Sequence, residues 1–284
     1  MRPELERACL RYRLGAPARP LAGRAGDRIG RGTGASLEFM DFRDYVPGDD
    51  LRHVDWRSYA RTEQYKVRLF REEVSPAAEV IADLSPSMAV TEGKERALRD
   101  LVEAFALWIA RSGGHPRRLA AGGGRFEDGE RVPIGAGVAA GAATGAAAAP
   151  AAASTLLPLE PLRPRSVRVL ISDFLVEHDS GPDLRRLASG AAELVVVQLL
   201  DPWELQPSLD GPTALLDCED GGRLDVDAAP RIVASYRERL ARLGASLEGA
   251  ARAAGARFAR VTAGAPERMF ADQLLPQGLV EPAA

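Results

Sequence analysis

Residues 79 to 90 read EVIADLSPSMAV, an apolar run that ends in Asp83 and continues at alternate positions into Ser85 and Ser87. The D-x-S-x-S spacing gathers one carboxylate and two hydroxyls on a short stretch of chain. Cations of the Mg²⁺ type take oxygen ligands in a near-octahedral shell, keep several waters and use one or two carboxylates. In an extended loop the alternation places both serines on a common side, with the aspartate at the strand tip. A second apolar run, SVRVLISDF (166–174), also ends in an aspartate, Asp173, which could contribute from a neighbouring tip. The same residues have a plainer use, because Asp and Ser at a strand exit cap the next helix by accepting its free N–H groups. Residue types and spacing alone leave both uses open.

Other chemistry is poorly supported. The glycines of GRGTG (30–34) could approach a phosphate, but no G-K-[ST] follows and no strand precedes them. An aspartyl phosphotransferase of the dehalogenase type wants a second Asp two residues after the nucleophile, and that position is Ser85. Neither Ser85 nor Ser87 sits in a G-x-S-x-G elbow, and only His53, His115 and His178 are available as bases.

The elements around these residues alternate. After EVIADL comes KERALRDLVEAFALWIARSGG (94–114), whose Leu98, Leu101, Val102, Phe105 and Ile109 recur at helical spacing and whose double Gly ends the helix. The 166–174 strand, a helix over 184–191, a strand over 193–202, a long helix over 230–255, a last strand ARFARVTAG and a closing helix PERMFADQLL follow. This alternation predicts an α/β fold with a doubly wound, mostly parallel sheet covered by helices on both faces. Ligands of such sheets sit at the carboxyl ends of the strands, where Asp83 and Asp173 both fall.

Upstream, residues 15–36 are rich in Gly, Pro and Arg, and YKVRLFREEV (65–74) reads as a strand. The expected division is an N-terminal extension and embellishment over 1–78 and the α/β domain over 79–284. The Ala/Gly tract at 134–154 reads as a surface excursion. Asp49, Asp50, Arg52, Asp55, Arg57 and Arg61 could form a bidentate ion-pair network that pins the embellishment, with Trp56 as a buried anchor, or present a partner-docking surface.

A net charge of −3 gives no electrostatic reason to expect nucleic acid. The two cysteines, Cys9 and Cys218, lie far apart and in no metal-binding spacing, which suits a reducing compartment. The charged N-terminus is unlike a signal peptide and no apolar run reaches the roughly 18 residues of a membrane span. The expectation is a cytoplasmic protein.

The succession of strand, D-x-S-x-S and helix is similar to the first loop of a von Willebrand factor A domain, whose metal-ion-dependent adhesion site uses that motif. The block YVPGDDLRHVDWRSYAR (45–61) and the runs LISDF and LLDPWE resemble the signature of a bacterial family, domain of unknown function fifty-eight, over about residues 28 to 275. The resemblance implies a von Willebrand A-like, Rossmann-type domain with an N-terminal β-rich embellishment. Members are typically encoded beside MoxR-type AAA+ ATPases and are thought to act with them in protein maturation or assembly. Many carry two N-terminal membrane helices, which this sequence lacks.

Carried over residue by residue, the resemblance makes Asp83, Ser85 and Ser87 the first metal loop and Asp173 the third. The second loop should offer a Thr. Thr144 and Thr155 are the candidates, Thr155 preferred, although neither has a G-G-T context. The implied function is a non-enzymatic, Mg²⁺- or Mn²⁺-dependent interaction module, with a MoxR-type ATPase or its client as partner. The alternatives are a metal-dependent phosphohydrolase using Asp83 and Asp173, and a scaffold that binds no metal.

Overall fold

The computed structural model describes residues 2–15, 37–47, 49, 51–72, 77–121, 156–175, 179–209, 211–219, 221–228 and 230–283. Thr144, Thr155, the Ala/Gly tract, GRGTG, Asp50 and His178 lie outside them. The chain divides into two compact units, Met1–Ala22 with Pro76–Ala284, and Gly23–Ser75.

The opening helix α1 (Pro3–Leu10) and strand β1 (Tyr12–Leu14) belong to the larger unit. The sequence division at 78/79 set them with the embellishment. Their place follows from burial, because Leu5, Ala8 and Cys9 join the main core and β1 pairs with a strand from the far end of the chain.

In the smaller unit β2 (Leu37–Asp44) and β3 (Lys66–Glu72) form an antiparallel ladder, with a register shift between Phe39 and Asp41. Between them α2 (Trp56–Thr62) is capped by the Asp55 carboxylate, which accepts the Arg57 N–H at 3.1 Å. Trp56 is 56% exposed, where a buried anchor was expected. It begins a two-turn helix with no buried residue and meets Tyr59 and Tyr65 edge-on, these two stacking at 4.4 Å. Asp49 pairs with Arg43, outside the block, through a two-toothed contact of 2.8 and 2.6 Å. That guanidinium holds Asp49 below its usual range.

The larger unit continues with β4 (Ala77–Ala82), α3 (Glu92–Arg111), β5 (His115–Ala120), β6 (Val167–Ser172), α4 (Gly181–Ala188), β7 (Glu193–Leu200) and α5 (Pro202–Leu205). A hairpin of β8 (Gly211–Leu216) and β9 (Arg223–Ala228) precedes α6 (Pro230–Ala253), β10 (Arg257–Thr262) and β11 (Val280–Pro282), the partner of β1. Five strands form one parallel sheet in the order β10-β7-β6-β4-β5.

Successive residues of a strand point to opposite faces, so the strands of a sheet covered on both sides read as nearly continuous apolar runs. Val80, Ala82, Val169, Ile171, Val195 and Val197 face a core with α1 and α3, while Ile81, Leu170, Leu194 and Val196 face a second core with α4 and α6. The mixed α/β fold with a parallel sheet flanked by helices is thus as expected from the sequence. In α3 the Thr91 hydroxyl accepts the Lys94 N–H at 3.0 Å, and the apolar positions read from the sequence line the buried face.

Candidate metal centre

The chain leaves β4 through α3 to reach β5 on one side, then places β6 on the other side of β4. Because α3 packs in one core and α4 in the other, the loops after β4 and β6 part to opposite faces and open a crevice. Asp83 and Asp173 are the first residues beyond these neighbouring strands, and Asp201 follows β7.

Asp83 is 8% exposed and braced from both sides. Its Oδ1 accepts the Ser85 N–H at 2.9 Å and its Oδ2 accepts the Ser172 hydroxyl at 2.6 Å. Ser85 Oγ and Ser87 Oγ stand 2.9 Å apart, and both residues are half-buried. An octahedral shell with Mg–O distances of about 2.1 Å has an edge of about 3 Å between adjacent oxygens. The two hydroxyls share a hydrogen bond at 2.9 Å, which is also the separation of neighbouring ligands in such a shell, and with the Asp83 carboxylate of the same loop they make a donor set that suits a small divalent cation. Among the described residues no three His, Cys, Asp or Glu side chains converge as a metal-binding group, so any such site rests on hydroxyls.

Asp173 has a different setting. Its Oδ2 accepts the Lys94 ammonium at 2.8 Å and its Oδ1 accepts the Leu175 N–H at 3.0 Å. Lys94 is fully buried and gives a second bond of 2.6 Å to Glu204 Oε1. Burial pushes the Glu204 carboxyl up, against the opposing pull of Lys94. The Glu204 Oε2 accepts the Asp201 N–H, while Asp201 accepts the Trp203 N–H and the Thr91 hydroxyl, the latter at 2.6 Å. This network ties α3 and α5 to the tips of β6 and β7 and sets one internal cation between the Asp173 and Glu204 carboxylates.

Behind it, Gln198 donates to the Asp173 carbonyl at 3.1 Å and accepts from Arg260 at 2.9 Å. Arg260 lies over Gly244 in α6, where any side chain would collide with the guanidinium. Phe174, fully buried, adopts φ 56°, a left-handed conformation costly for a residue with a Cβ. It turns the chain sharply after Asp173.

Lys94, Ser172, Asp201 and Glu204 were not singled out in the sequence. Lys94 had a signal, since it precedes Leu98 and Leu101 by four and seven residues and so falls on the apolar face of its helix. The D-P-x-E run at 201–204 is likewise a legible capping box, present in the structure.

One further carboxylate reaches the loop. Glu219, in the turn of the β8–β9 hairpin, accepts the Ser87 N–H at 3.1 Å. The turn is closed by bonds from Asp217 N–H to the Gly222 carbonyl at 2.7 Å and from Glu219 N–H to the Asp217 carboxylate at 2.7 Å. Next to Glu219 is the exposed Cys218, whereas Cys9 is buried and its thiol is pushed up to about 12. Partial burial and the Glu219 charge raise Cys218 as well. A native thiol titration should therefore count one reactive group per chain, faster as pH rises above neutral, and two after denaturation. Two fast thiols in the native protein would contradict the packing of α1.

A family model described as "Protein of unknown function DUF58" matches residues 41–246, which take in part of the smaller unit and the tips of β4, β6 and β7. The chain belongs to this family. Other relatives are uncharacterized proteins Rv1480 of Mycobacterium tuberculosis (strain ATCC 25618 / H37Rv) and Mb1516 of Mycobacterium bovis. Each is 29% identical, the match covering 76% of this chain and 74% of the relative. Among solved structures, the conserved hypothetical protein BatB from Bacteroides thetaiotaomicron aligns over 71% of this chain and 98% of its own. Its TM-score is 0.30 at 11% identity, too low for a shared fold to be argued from it. Among the described residues of this family member no helix is long and apolar enough to cross a membrane.

Proposed function

We propose that this chain is a non-enzymatic, metal-dependent protein-interaction module of von Willebrand A-like architecture, with residues 37–72 in its N-terminal embellishment. Asp83, Ser85 and Ser87 would hold Mg²⁺ or Mn²⁺ at the switch-point crevice. The observation that carries this reading is the pair of serine hydroxyls, 2.9 Å apart, on the loop that leaves a braced Asp83 carboxylate. The cation would supply a positive charge with exchangeable positions, suited to an acidic side chain of a partner. The chain's own residues orient the hydroxyls and fix the aspartate. The partner proposed is a MoxR-type AAA+ ATPase or its client.

The phosphohydrolase alternative has less support. Asp173 is engaged by Lys94, and His115 begins β5, at the end of the sheet opposite the tips.

The test is a pull-down of the MoxR-type ATPase by the full chain, with Mg²⁺ and with chelator, for wild type and Asp83→Ala. Wild type should bind only with the metal, and Asp83→Ala should lose binding under both conditions. Equal capture in all four samples would end the proposal.

A further inference from the structure

The charge balance of the crevice leaves a place for a second carboxylate. Of the two aspartates beyond β4 and β6, Asp173 has one oxygen on the buried Lys94 ammonium and the other on the Leu175 N–H, so Asp83 is the one left to serve the hydroxyl pair. A small divalent cation held by one carboxylate and two hydroxyls is weakly bound, since affinity in oxygen sites rises with the number of charged ligands. Glu219 is placed by the hairpin turn with its carboxylate on the backbone N–H of Ser87, the residue that carries one of those hydroxyls. Its turn is fixed by the Asp217 side chain, so the carboxylate is presented from an ordered bend.

The geometry points to Glu219 as the second carboxylate ligand of the loop cation, supplied in cis by the β8–β9 hairpin. This inference rests on the metal reading given above. In it the hairpin fills the position that an acidic partner residue would take, so the partner must displace Glu219 to engage the cation. The hairpin is then the chain's own competitor for its interaction site, and the accessible state is the one in which it has swung away. The strands beside the turn expose Leu216 and Leu224, at 72% and 61%, rather than burying them.

Calorimetric titration of Mn²⁺ into the chelator-stripped full chain tests this with three proteins: wild type, Ser87→Ala and Glu219→Gln. The expected results are saturable binding by wild type, none by Ser87→Ala, and affinity weaker by on the order of tenfold in Glu219→Gln. Both side chains lie at the surface or half-buried, and matching melting curves would verify that the variants fold. If Glu219→Gln binds like wild type while Ser87→Ala does not, the cis-ligand inference is overturned and the metal reading stands. If wild type shows no binding, or Ser87→Ala binds equally, the metal reading itself fails and takes the inference with it. Cys218 supplies a second readout. Mn²⁺ should slow its maleimide modification in wild type and leave Glu219→Gln unchanged, and equal slowing in both would also overturn the inference.

Discussion

Lys94→Met should lower the stability of the larger unit by about 3–5 kcal/mol, because it leaves two buried carboxylates facing the hole of a missing cation. Lys94 is fully buried, and its partners Asp173 and Glu204 are nearly so, so solvent does little to screen the loss. In a unit of this size the melting temperature should fall by on the order of 10 °C. The deficit should also depend on pH. Glu204 already titrates above its ordinary range through burial, and removing Lys94 takes away the interactions that pull it down. A carboxyl raised in the folded state contributes stability that is present below its unfolded value and lost as pH rises through its folded one. The variant should therefore lie nearest to wild type in mild acid and fall behind as pH climbs through the raised Glu204 titration toward neutrality. Thermal melts monitored by circular dichroism from pH 5 to 8 would show this. Adding Glu204→Gln should recover part of the loss at neutral pH, and a deficit flat across that range would place the damage elsewhere.

Trp108→Ala should be comparably severe, at about 3–5 kcal/mol, the usual cost of emptying a buried aromatic site. The indole is fully buried, meets Phe270 at 4.9 Å and Phe105 at 5.4 Å edge-on, and donates to the Cys9 carbonyl at 3.1 Å. That bond reaches the end of α1, whose free carbonyls lack partners within their own helix. The effect should accordingly be uneven. Urea denaturation would report the global loss, while amide exchange should accelerate over residues 3–10 beyond what the global change accounts for. Trp108→Phe, which keeps the packing and removes the donor, should retain most of the stability and still loosen α1. Protection of α1 unchanged in both variants would remove the indole from its proposed role as anchor.

The two predictions concern different ends of α3, and the contrast bears on the candidate site. Lys94 lies in the first turn, against the strand tips, and Trp108 in the last, against the chain's opening. A binding defect in Lys94→Met without unfolding would show that the internal cation positions the crevice as well as stabilising it.

Much of the architecture was legible because its signals are local. The runs that became β4, β6 and β7 are mostly apolar at successive positions, broken by the buried Glu79, Arg168 and Gln198, as suits strands buried on both faces, and α3 carries apolar residues at helical spacing. Alternation of such runs is enough to predict a parallel sheet, and a parallel sheet puts the residues after its strands at one edge. Asp83 and Asp173 could therefore be singled out from the sequence. The β5 strand, HPRRLA, was missed because half its residues are polar and its pairing with β4 alone defines it. The β1–β11 pair was missed because it joins residues near the two ends of the chain, and no local pattern reports such a contact.

For the candidate site, the sequence by itself determined the donor types and the D-x-S-x-S spacing, since these are properties of consecutive residues. Only the tertiary structure decided how charge is shared among them. A lysine on an apolar helix face looks misplaced until two carboxylates from distant loops are seen to meet it, and a glutamate in an acidic turn looks solvated until the hairpin sets it on Ser87. Ion pairing depends on distance in space and on exclusion of water, and neither can be read from separations of 79 to 132 residues along the chain.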